Sequence, residues 1–585
     1  MIKYLLTISI ALTFSFSTFA DNVTTWKDIV NAKKSPENWL THHGTLDGQR
    51  FSGLKKINKK NVKKLKVAFT RVIGGVEGGG IWDHAGLEGT PIVEDGMMYV
   101  TDGWGSIYKF DVRNNGKMVW KMNPDTDHDF PGAVTCCGIN NRGVALIDDK
   151  VISHTLDGRL IITNKETGEI EQEVQLADAS VSEVITAAPL VVKNAAITGV
   201  AGAEYGIRGW LHSTNIATGE KNWRTYTIPA PGEPGSDTWK QGPEGHSKDA
   251  WMHGGGSTWV VGSYDPDLNV IYWGVGNPGP DWDNEYRPGD NLYSNSVLAL
   301  DADSGKIKWY FQYTPNDPYD FDGVNEQTLV DAKVFGKKTK AVLHADRNGF
   351  AYALDRVSGK FLWGTPFVKK LDWTAGLDKY TGRPMDYDPN QDVQRYVAST
   401  NASRAQPEGT SCPGNMGGKN WPPTAYDPDR NMYYIPVIES CAMHVNVPQE
   451  KEWVAREFWL GGGPKMGPII TGSVTAMDVN SGKVVAKYDM DYPSLGGLVA
   501  TKGGLVFSGH PEGTVVALDS DNLKELWRFE TNTGINAPPI TFAVDGKQYV
   551  AILAGLGGAW PKWFMGSTPG LEKVDAGQML FVFSL

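Results

Sequence analysis

The chain has 585 residues, of which 41% are hydrophobic and 21% charged, so it contains enough apolar sequence for a sizeable core. Glycine and tryptophan are frequent, with 68 and 21 copies, a mixture typical of many short strands and turns rather than of long solvated helices. The formal net charge of -11 argues against nucleic acid as a partner.

The first twenty residues have the features of a secretory signal peptide. Lys3 provides the positive start, residues 5–16 form an apolar stretch, and Thr18 and Ala20 are small residues where cleavage is expected. The stretch is too short for a membrane span, and no later segment is long and apolar enough to cross a bilayer. We therefore expect residues 1–20 to be removed and residues 21–585 to form one domain in the periplasm.

The mature chain carries four cysteines into this oxidising compartment: Cys136, Cys137, Cys412 and Cys441. An even number allows two disulfides with three connectivities. A bond between Cys136 and Cys137 would close a strained ring, because consecutive Cα atoms lie about 3.8 Å apart and an ordinary disulfide spans about 4.4–6.8 Å. The alternative pairs each of them with Cys412 or Cys441, and spacing alone does not decide. No Cys-x-x-Cys-His motif is present, so no c-type haem is expected on this chain.

One short pattern recurs along the chain. A small residue, an apolar residue and Asp are followed by Gly four positions after the Asp and by Trp four positions later. The best copies are Ala299–Trp309 and Ala353–Trp363; Ser213–Trp223 has Asn for Asp, and Phe110–Trp120 has one extra residue. Weaker copies end at Gln172 and Ala486 in place of Trp, or at Trp527 without the Gly.

The pattern predicts a strand, a turn and a second strand. The apolar residues end one strand, Asp and Gly form the turn with Gly at positive φ, and Trp on the next strand can pack against a neighbouring sheet. Adjacent copies are commonly about 40–55 residues apart, the length of a four-stranded propeller blade. Seven copies are visible, and an eighth blade would form if N-terminal strands joined the final segment GQMLFVFSL.

These repeats resemble the tryptophan-docking repeats of the quinoprotein alcohol dehydrogenases, the methanol and ethanol dehydrogenase family. The resemblance runs from about Trp26 to the C-terminus and implies an all-β, eight-bladed β-propeller that uses pyrroloquinoline quinone (PQQ). Non-catalytic propeller scaffolds of outer-membrane assembly carry similar repeats, so the residues between the repeats must separate the two classes.

The resemblance implies that Cys136 and Cys137 form a vicinal disulfide against one face of PQQ, and that Cys412 pairs with Cys441. The segment DAWMHGGGSTWV is similar to the family's stacking segment, in which Trp259 covers the opposite face. Further positions match the family's cofactor pocket, although the extra Ala559 makes the last of them a weaker match. They are Glu88, Arg142, Thr186, Gly202, Ala203, Ser257, Arg347, Asn420 and Trp560.

Four residues match the family's metal ligands: Glu204, Asn277, Asp320 and Asp322. Their oxygen atoms suit Ca²⁺ or a lanthanide rather than zinc or copper. Calcium-type methanol dehydrogenases carry a small residue two positions after the catalytic Asp, whereas this chain has Asp322, as in the lanthanide-dependent members. A further carboxylate favours the higher charge, so we expect a lanthanide in preference to Ca²⁺. The alternative is a solvent-facing Asp in an Asp-Gly turn.

The resemblance also implies the reaction and the partners. Asp320 would accept the proton of a small primary alcohol, and Arg347 and the metal would polarise the quinone. A separate periplasmic cytochrome c would take the electrons. A homodimer is left open. The alternatives are the non-catalytic scaffold and a PQQ-dependent sugar or polyol dehydrogenase. Leu495 stands where methanol dehydrogenases have a pocket Trp, which indicates a pocket different from a strict methanol site.

Overall fold

The computed structural model describes residues 23–128, 134–242, 248–465 and 467–585, and the expected signal peptide lies outside them. Strands dominate the described residues. The N-terminal elements are helix α1 (Trp26–Val30) and strands β1 (Phe51–Ser52), β2 (Lys66–Val72), β3 (Glu77–Gly79) and β4 (Trp82–His84). The 3-10 helices are Ala32–Lys34, Val62–Lys64, Val112–Asn114, Ala179–Val181, Ala203–Tyr205, Ser236–Thr238, Ala250–His253, Met565–Ser567 and Leu571–Lys573, and Trp560–Phe564 is a π-helix.

Most strands belong to eight sheets, numbered here in chain order. Sheet 1 contains β5 (Ile92–Glu94), β6 (Met97–Thr101), β7 (Ile107–Asp111) and β8 (Lys117–Met122), and sheet 2 contains β9 (Ala145–Ile147), β10 (Lys150–His154), β11 (Arg159–Asn164) and β12 (Ile170–Gln175). Sheet 3 contains β13 (Leu190–Val192), β14 (Ala195–Gly199), β15 (Trp210–Asn215) and β16 (Lys221–Tyr226), and sheet 4 contains β17 (Ser263–Asp265), β18 (Val270–Val275), β19 (Ser296–Asp301) and β20 (Ile307–Gln312).

The remaining sheets follow the same meander. Sheet 5 contains β21 (Thr328–Val334), β22 (Lys337–Ala345), β23 (Phe350–Asp355) and β24 (Phe361–Pro366); β25 (Glu408–Ser411), β28 (Ala442–Asn446) and β29 (Gly462–Lys465) form a smaller inserted sheet. Sheet 6 contains β26 (Ala425–Asp427), β27 (Met432–Glu439), β30 (Thr471–Asp478) and β31 (Lys483–Met490). Sheet 7 contains β32 (Leu498–Thr501), β33 (Leu505–Gly509), β34 (Thr514–Asp519) and β35 (Glu525–Glu530), and sheet 8 contains β36 (Ile540–Val544), β37 (Lys547–Ala554) and β38 (Met579–Ser584).

The two ends of the chain meet in sheet 8. Strand β2, near the N-terminus, pairs antiparallel with β38, so that Lys66 lies opposite Ser584 and Val72 opposite Met579. The expectation that an N-terminal strand joins the final segment is therefore confirmed. Strand β1 adds to sheet 7 by parallel pairing with β32. Within the described residues this gives eight sheets of four or five strands.

The repeated Trp and Gly connect neighbouring sheets. The indole N–H of Trp223 in sheet 3 donates to the carbonyl of Ala302 in sheet 4 at 3.1 Å. A Cβ added to Gly305 would lie 2.5 Å from the Trp223 ring, so only glycine allows the ring to lie there. The same relation links three other pairs of sheets. In each pair, a ring lies over the glycine of the next repeat: Trp120 over Gly168, Trp309 over Gly359 and Trp363 over Gly482.

The weaker repeats keep the geometry with different residues. Gln172 replaces Trp, and its amide donates to the carbonyl of Thr218 at 3.1 Å beside Gly219. In the repeat that lacks glycine, Leu523 occupies the glycine position with φ of 58°. The repeat thus forms the contact between neighbouring sheets, and the weaker copies form a similar contact with other residues at the Trp or Gly position.

Replacing Gly305 by Ala should destabilise the protein by about 3 kcal/mol, because the new methyl group meets the Trp223 ring and the left-handed backbone is also penalised. Gly336 is a matched control: its φ is +80°, but nothing lies within 4 Å of an added Cβ. Gly336→Ala should therefore cost only about 1 kcal/mol. Urea unfolding of both variants measures the difference, and equal losses would show that the Trp–Gly docking contributes nothing.

All predicted site residues lie on one face of the ring of sheets. In a four-stranded antiparallel meander, the connection between the second and third strands leaves on the same side as the connection to the next sheet. Connections between sheets carry Glu88, Cys136, Cys137, Arg142, Thr186, Ser257, Trp259, Asp320, Asp322 and Asn420. Connections between second and third strands carry Gly202, Ala203, Glu204, Asn277, Arg347 and Trp560.

Candidate active site

The vicinal disulfide forms part of this face. Cys136 and Cys137 are bonded to each other, with Cα atoms 3.8 Å apart, and Cys412 is bonded to Cys441. Both pairings implied by the family resemblance are therefore confirmed. A carboxylate oxygen of Glu204 lies within 4.8 Å of the two sulfur atoms. One predicted metal ligand thus lies directly beside the predicted wall of the cofactor pocket.

A glycine run brings Trp259 to the same face. The amide of Gly256 donates to the carbonyl of Asn277 at 2.8 Å, and the amide of Gly276 donates to the carbonyl of Ser257 at 2.7 Å. Gly255 has φ of +68°, and a Cβ there would lie 2.8 Å from the Asn277 carbonyl oxygen. The glycines therefore permit the close backbone approach that sets the segment of Trp259 against the segment of Asn277.

Arg142 is the centre of a buried polar cluster. Its guanidinium forms an ion pair with Glu88 at 2.7 Å, in which both side chains are only 6% exposed. It also donates to the hydroxyl of Thr186 at 2.8 Å and lies over the rings of Trp259 and Trp421 at 4.8 and 4.9 Å. Four residues predicted separately from the sequence thus lie in direct contact.

In the segment PYDFDG, the carboxylates of Asp320 and Asp322 alternate with the buried aromatic rings of Tyr319 and Phe321. Tyr319 and Phe321 are fully buried and stack on each other at 4.9 Å. The carboxylate of Asp317 accepts the amides of Tyr319 at 2.9 Å and Phe321 at 2.7 Å, which fixes the loop. Asp320, between the two aromatic residues, has φ of 62°, a conformation that Asp tolerates better than most residues.

Arg347 joins the two aspartates. Its guanidinium lies 3.1 Å from Asp322 Oδ2 and 4.0 Å from Asp320 Oδ1. The indole N–H of Trp259 donates to the same Oδ2 of Asp322 at 2.8 Å. Asp322 Oδ1 is buried without a hydrogen-bond partner, at a place where a Cβ on Gly276 would lie 2.4 Å away. Asp322 therefore keeps one oxygen for a ligand that the described residues do not supply.

The carboxyl groups of this region are electrostatically strained. Burial raises the pKa of Glu204 to about 7, and the negative charge of Asp322 adds to the rise. Burial also raises the pKa values of Asp320 and Asp322, while the guanidinium of Arg347 opposes both shifts. Buried carboxylates of this kind are stabilised by a cation.

Other predicted residues reach the same face without joining the Arg142 and Arg347 contacts. The amide of Asn277 donates to Pro278 at 3.5 Å, and that of Asn420 donates to Met416 at 3.2 Å. Trp560 donates to the hydroxyl of Thr568 at 3.2 Å and packs with Leu495 in an apolar cluster. Gly202 and Ala203 lie next to Glu204, and Ala203 is fully buried.

Sequence reasoning missed three residues of this region: Asp281, Arg287 and Trp421. Asp281 is 1% exposed, and its pKa is raised well above the usual value by burial and by the charges of Asp320 and Glu204. Arg287 is fully buried and donates to the backbone carbonyls of Pro280 and Asp317. Trp421 follows Asn420, so its place beside a predicted residue was the one available signal.

The residues present fit a flat anionic cofactor and a hard cation. The disulfide and Trp259 offer two walls, and the Nε atoms of Arg142 and Arg347 are buried donors without partners in the described chain. The free Oδ1 of Asp322 and the carboxylate of Glu204 suit a cation bound through oxygen. A β-propeller with such a site defines the class of quinoprotein dehydrogenases.

Comparisons with known proteins agree. Residues 39–369 and 469–550 match the family model of the PQQ-dependent glucose, ethanol and alcohol dehydrogenase β-propeller domain. The chain belongs to the family of PQQ-dependent alcohol dehydrogenases, and it uses PQQ together with a metal ion. The expected family, all-β propeller fold and alcohol dehydrogenase activity are confirmed, and the non-catalytic scaffold loses its support.

The relatives cover nearly the whole chain. Quinoprotein alcohol dehydrogenase PedH of Pseudomonas putida is 37% identical over 96% of this chain and 93% of its own length. The quinoprotein ethanol dehydrogenase of Pseudomonas aeruginosa is 34% identical over 99% of this chain and 95% of its own length. The structure of a europium-containing methanol dehydrogenase has a TM-score of 0.86 and 32% identity, covering 96% of this chain and all of that one.

In the part of the chain that the structure describes, no helix is long and apolar enough to cross a membrane.

Proposed function

We propose that this enzyme oxidises small primary alcohols to aldehydes with PQQ and a lanthanide ion. The observation that carries the proposal is Asp322, whose Oδ2 is held by Trp259 and Arg347 while its buried Oδ1 has no partner in the described chain. A trivalent ion gains more than Ca²⁺ from an added carboxylate. The europium in the methanol dehydrogenase of similar structure supports the same reading.

The metal would be held by Glu204, Asn277, Asp320 and Asp322. All four offer oxygen ligands, and Asn277 is brought to the Trp259 segment by the Gly256 hydrogen bond. Glu204 lies beside the disulfide, and the two aspartates lie on either side of the Arg347 guanidinium. The cofactor itself would lie between the disulfide and Trp259, with an anionic group facing the Arg142 guanidinium, which Glu88 and Thr186 hold in place. Ser257 and Asn420 would contribute further polar contacts.

In the reaction, Asp320 is the general base. Its side chain is 16% exposed, and its carboxylate lies 4.0 Å from Arg347, so a substrate can reach it close to a fixed positive charge. It takes the hydroxyl proton of the alcohol. The Arg347 guanidinium would stabilise the negative charge that develops on the quinone oxygens during the reaction. PQQ, when bound with its metal, supplies the two-electron acceptor.

The choice of a small alcohol follows from the apolar cluster on this face. Leu495 and Trp560 are 5% and 4% exposed and belong to one buried cluster with Ile438 and Ile470. A pocket bordered by the exposed edge of this cluster would favour alkyl substrates over sugars and polyols, whose hydroxyl groups need partners. Since the sequence has no c-type haem motif, the electrons would pass to a separate cytochrome c in the periplasm, after removal of residues 1–20.

Reconstitution tests the proposal. Protein freed of metal is loaded with PQQ and either La³⁺ or Ca²⁺, then assayed on primary alcohols, polyols and aldose sugars with a one-electron acceptor. We expect higher turnover with La³⁺ and a preference for primary alcohols. Equal turnover with Ca²⁺ in metal-scrubbed buffer would assign the enzyme to the calcium class, and preferred oxidation of sugars would overturn the substrate class.

A further inference from the structure

Asp281 is a buried carboxylate that belongs neither to the four matched metal ligands nor to the predicted cofactor pocket. It lies in the connection between β18 and β19, four residues after Asn277, and is 1% exposed. Its Oδ1 has no hydrogen-bond partner in the described chain. An isolated buried carboxylate oxygen costs folding free energy, and a bound cation would offset that cost.

The backbone around Asp281 is fixed by Arg287. The guanidinium donates to the carbonyls of Pro280 at 2.9 Å and Asp281 at 3.0 Å, and to the carbonyl of Asp317 at 2.5 Å. Arg287 thus ties the loop of Asn277 and Asp281 to the loop of Asp320. These Arg287 hydrogen bonds all go to main-chain oxygens. They position the Asp281 backbone, but they do not pair the guanidinium with the Asp281 carboxylate.

The charges around Asp281 are mostly negative. Asp320, Glu204 and Asp322 all act on it electrostatically, in that order, and Arg287 is the cation that acts against them. The other nearby guanidinium, that of Arg347, is already paired with Asp322 at 3.1 Å. Four carboxyl groups face these two cations, so the region becomes net negative when the carboxyl groups ionise, and a multivalent cation would favour their ionised form.

We propose that Asp281 is a fourth carboxylate of the cation site and that it favours a trivalent ion over a divalent one. This inference rests on the proposed metal site, and it adds a residue outside the four matched ligands. An extra negative charge near the ion stabilises each unit of positive charge, so it contributes more to binding of La³⁺ than of Ca²⁺. Asp281 thereby tunes the choice of metal without taking part in proton transfer.

The test compares metal affinities directly. PQQ-loaded protein is stripped of metal with a chelator and dialysed against La³⁺ or Ca²⁺, and bound metal is measured by mass spectrometry. We expect Asp281→Asn, which keeps the side-chain size, to lower the ratio of the Ca²⁺ to the La³⁺ dissociation constant about tenfold. Asp281→Glu, which keeps the charge, should retain most of the ratio and gives a second variant if the Asn form folds poorly.

Asp102→Asn is the matched control. Asp102 lies in the connection between β6 and β7 and is also 1% exposed, but its carboxylate accepts the amides of Trp104 and Ser106 and the hydroxyl of Tyr108. Its removal should leave the metal ratio unchanged. An unchanged ratio in Asp281→Asn overturns the inference. The inference is also overturned if the variant alters only the KM of substrates that carry a second hydrogen-bond donor and leaves metal binding as in the wild type. If the wild type itself shows no preference for La³⁺, the lanthanide proposal fails first.

Discussion

Replacing Asp320 by Asn is expected to lower kcat by about 10²- to 10⁴-fold, because the variant has no base to take the hydroxyl proton. Asn is a better choice than Ala here. The backbone of Asp320 has φ of 62°, which Asn tolerates, and the amide keeps the shape of the side chain. The measurement is turnover of a primary alcohol at saturating substrate, with PQQ and metal contents determined on the same samples.

The metal content is the essential control for this variant. Asp320 is also a proposed ligand, so a loss of bound metal would lower turnover by a second route. We expect the residual turnover per fully loaded site to remain at the lowered level when metal is supplied in excess. Turnover near that of the wild type in a fully loaded variant would remove Asp320 from proton transfer.

Replacing Asp322 by Ala should reduce turnover with La³⁺ by about 100-fold and turnover with Ca²⁺ by no more than about tenfold. The free Oδ1 is the added anionic ligand, and its loss matters more for the ion of higher charge. Both values are measured on protein reconstituted with PQQ and one metal at a time, in buffers freed of the other.

The difference between the two metals is the informative quantity. Asp322 also accepts hydrogen bonds from Trp259 and Arg347, so its removal leaves two buried donors unpaired and lowers turnover with either ion. Asp322→Asn keeps an acceptor oxygen for these donors and removes only the charge, so it should retain the metal-dependent part of the loss. Equal losses with La³⁺ and Ca²⁺ in both variants would make Asp322 a positioning residue without influence on the choice of metal.

The sequence by itself determined the architecture, because the Trp and Gly residues that join neighbouring sheets recur at a fixed spacing along the chain. Gly305 and Trp223 each belong to a copy of the repeat, and the clash that a Cβ would make explains why the pattern contains glycine. The family resemblance then provided the vicinal disulfide and the types of residue in the pocket. Both came from matches between short segments and the family, because the spacing of the four cysteines alone left their pairing open.

Only the tertiary structure decided which of those residues touch and which further residues join them. Trp259 and Asp322 are 63 positions apart, and their hydrogen bond exists because two sheets of the ring place their loops on one face. Trp421 under Arg142 and Asp281 among the carboxylates carry no repeat or motif of their own. Burial and net charge at a point are set by every segment that converges there, so neither can be derived from the spacing within any one segment.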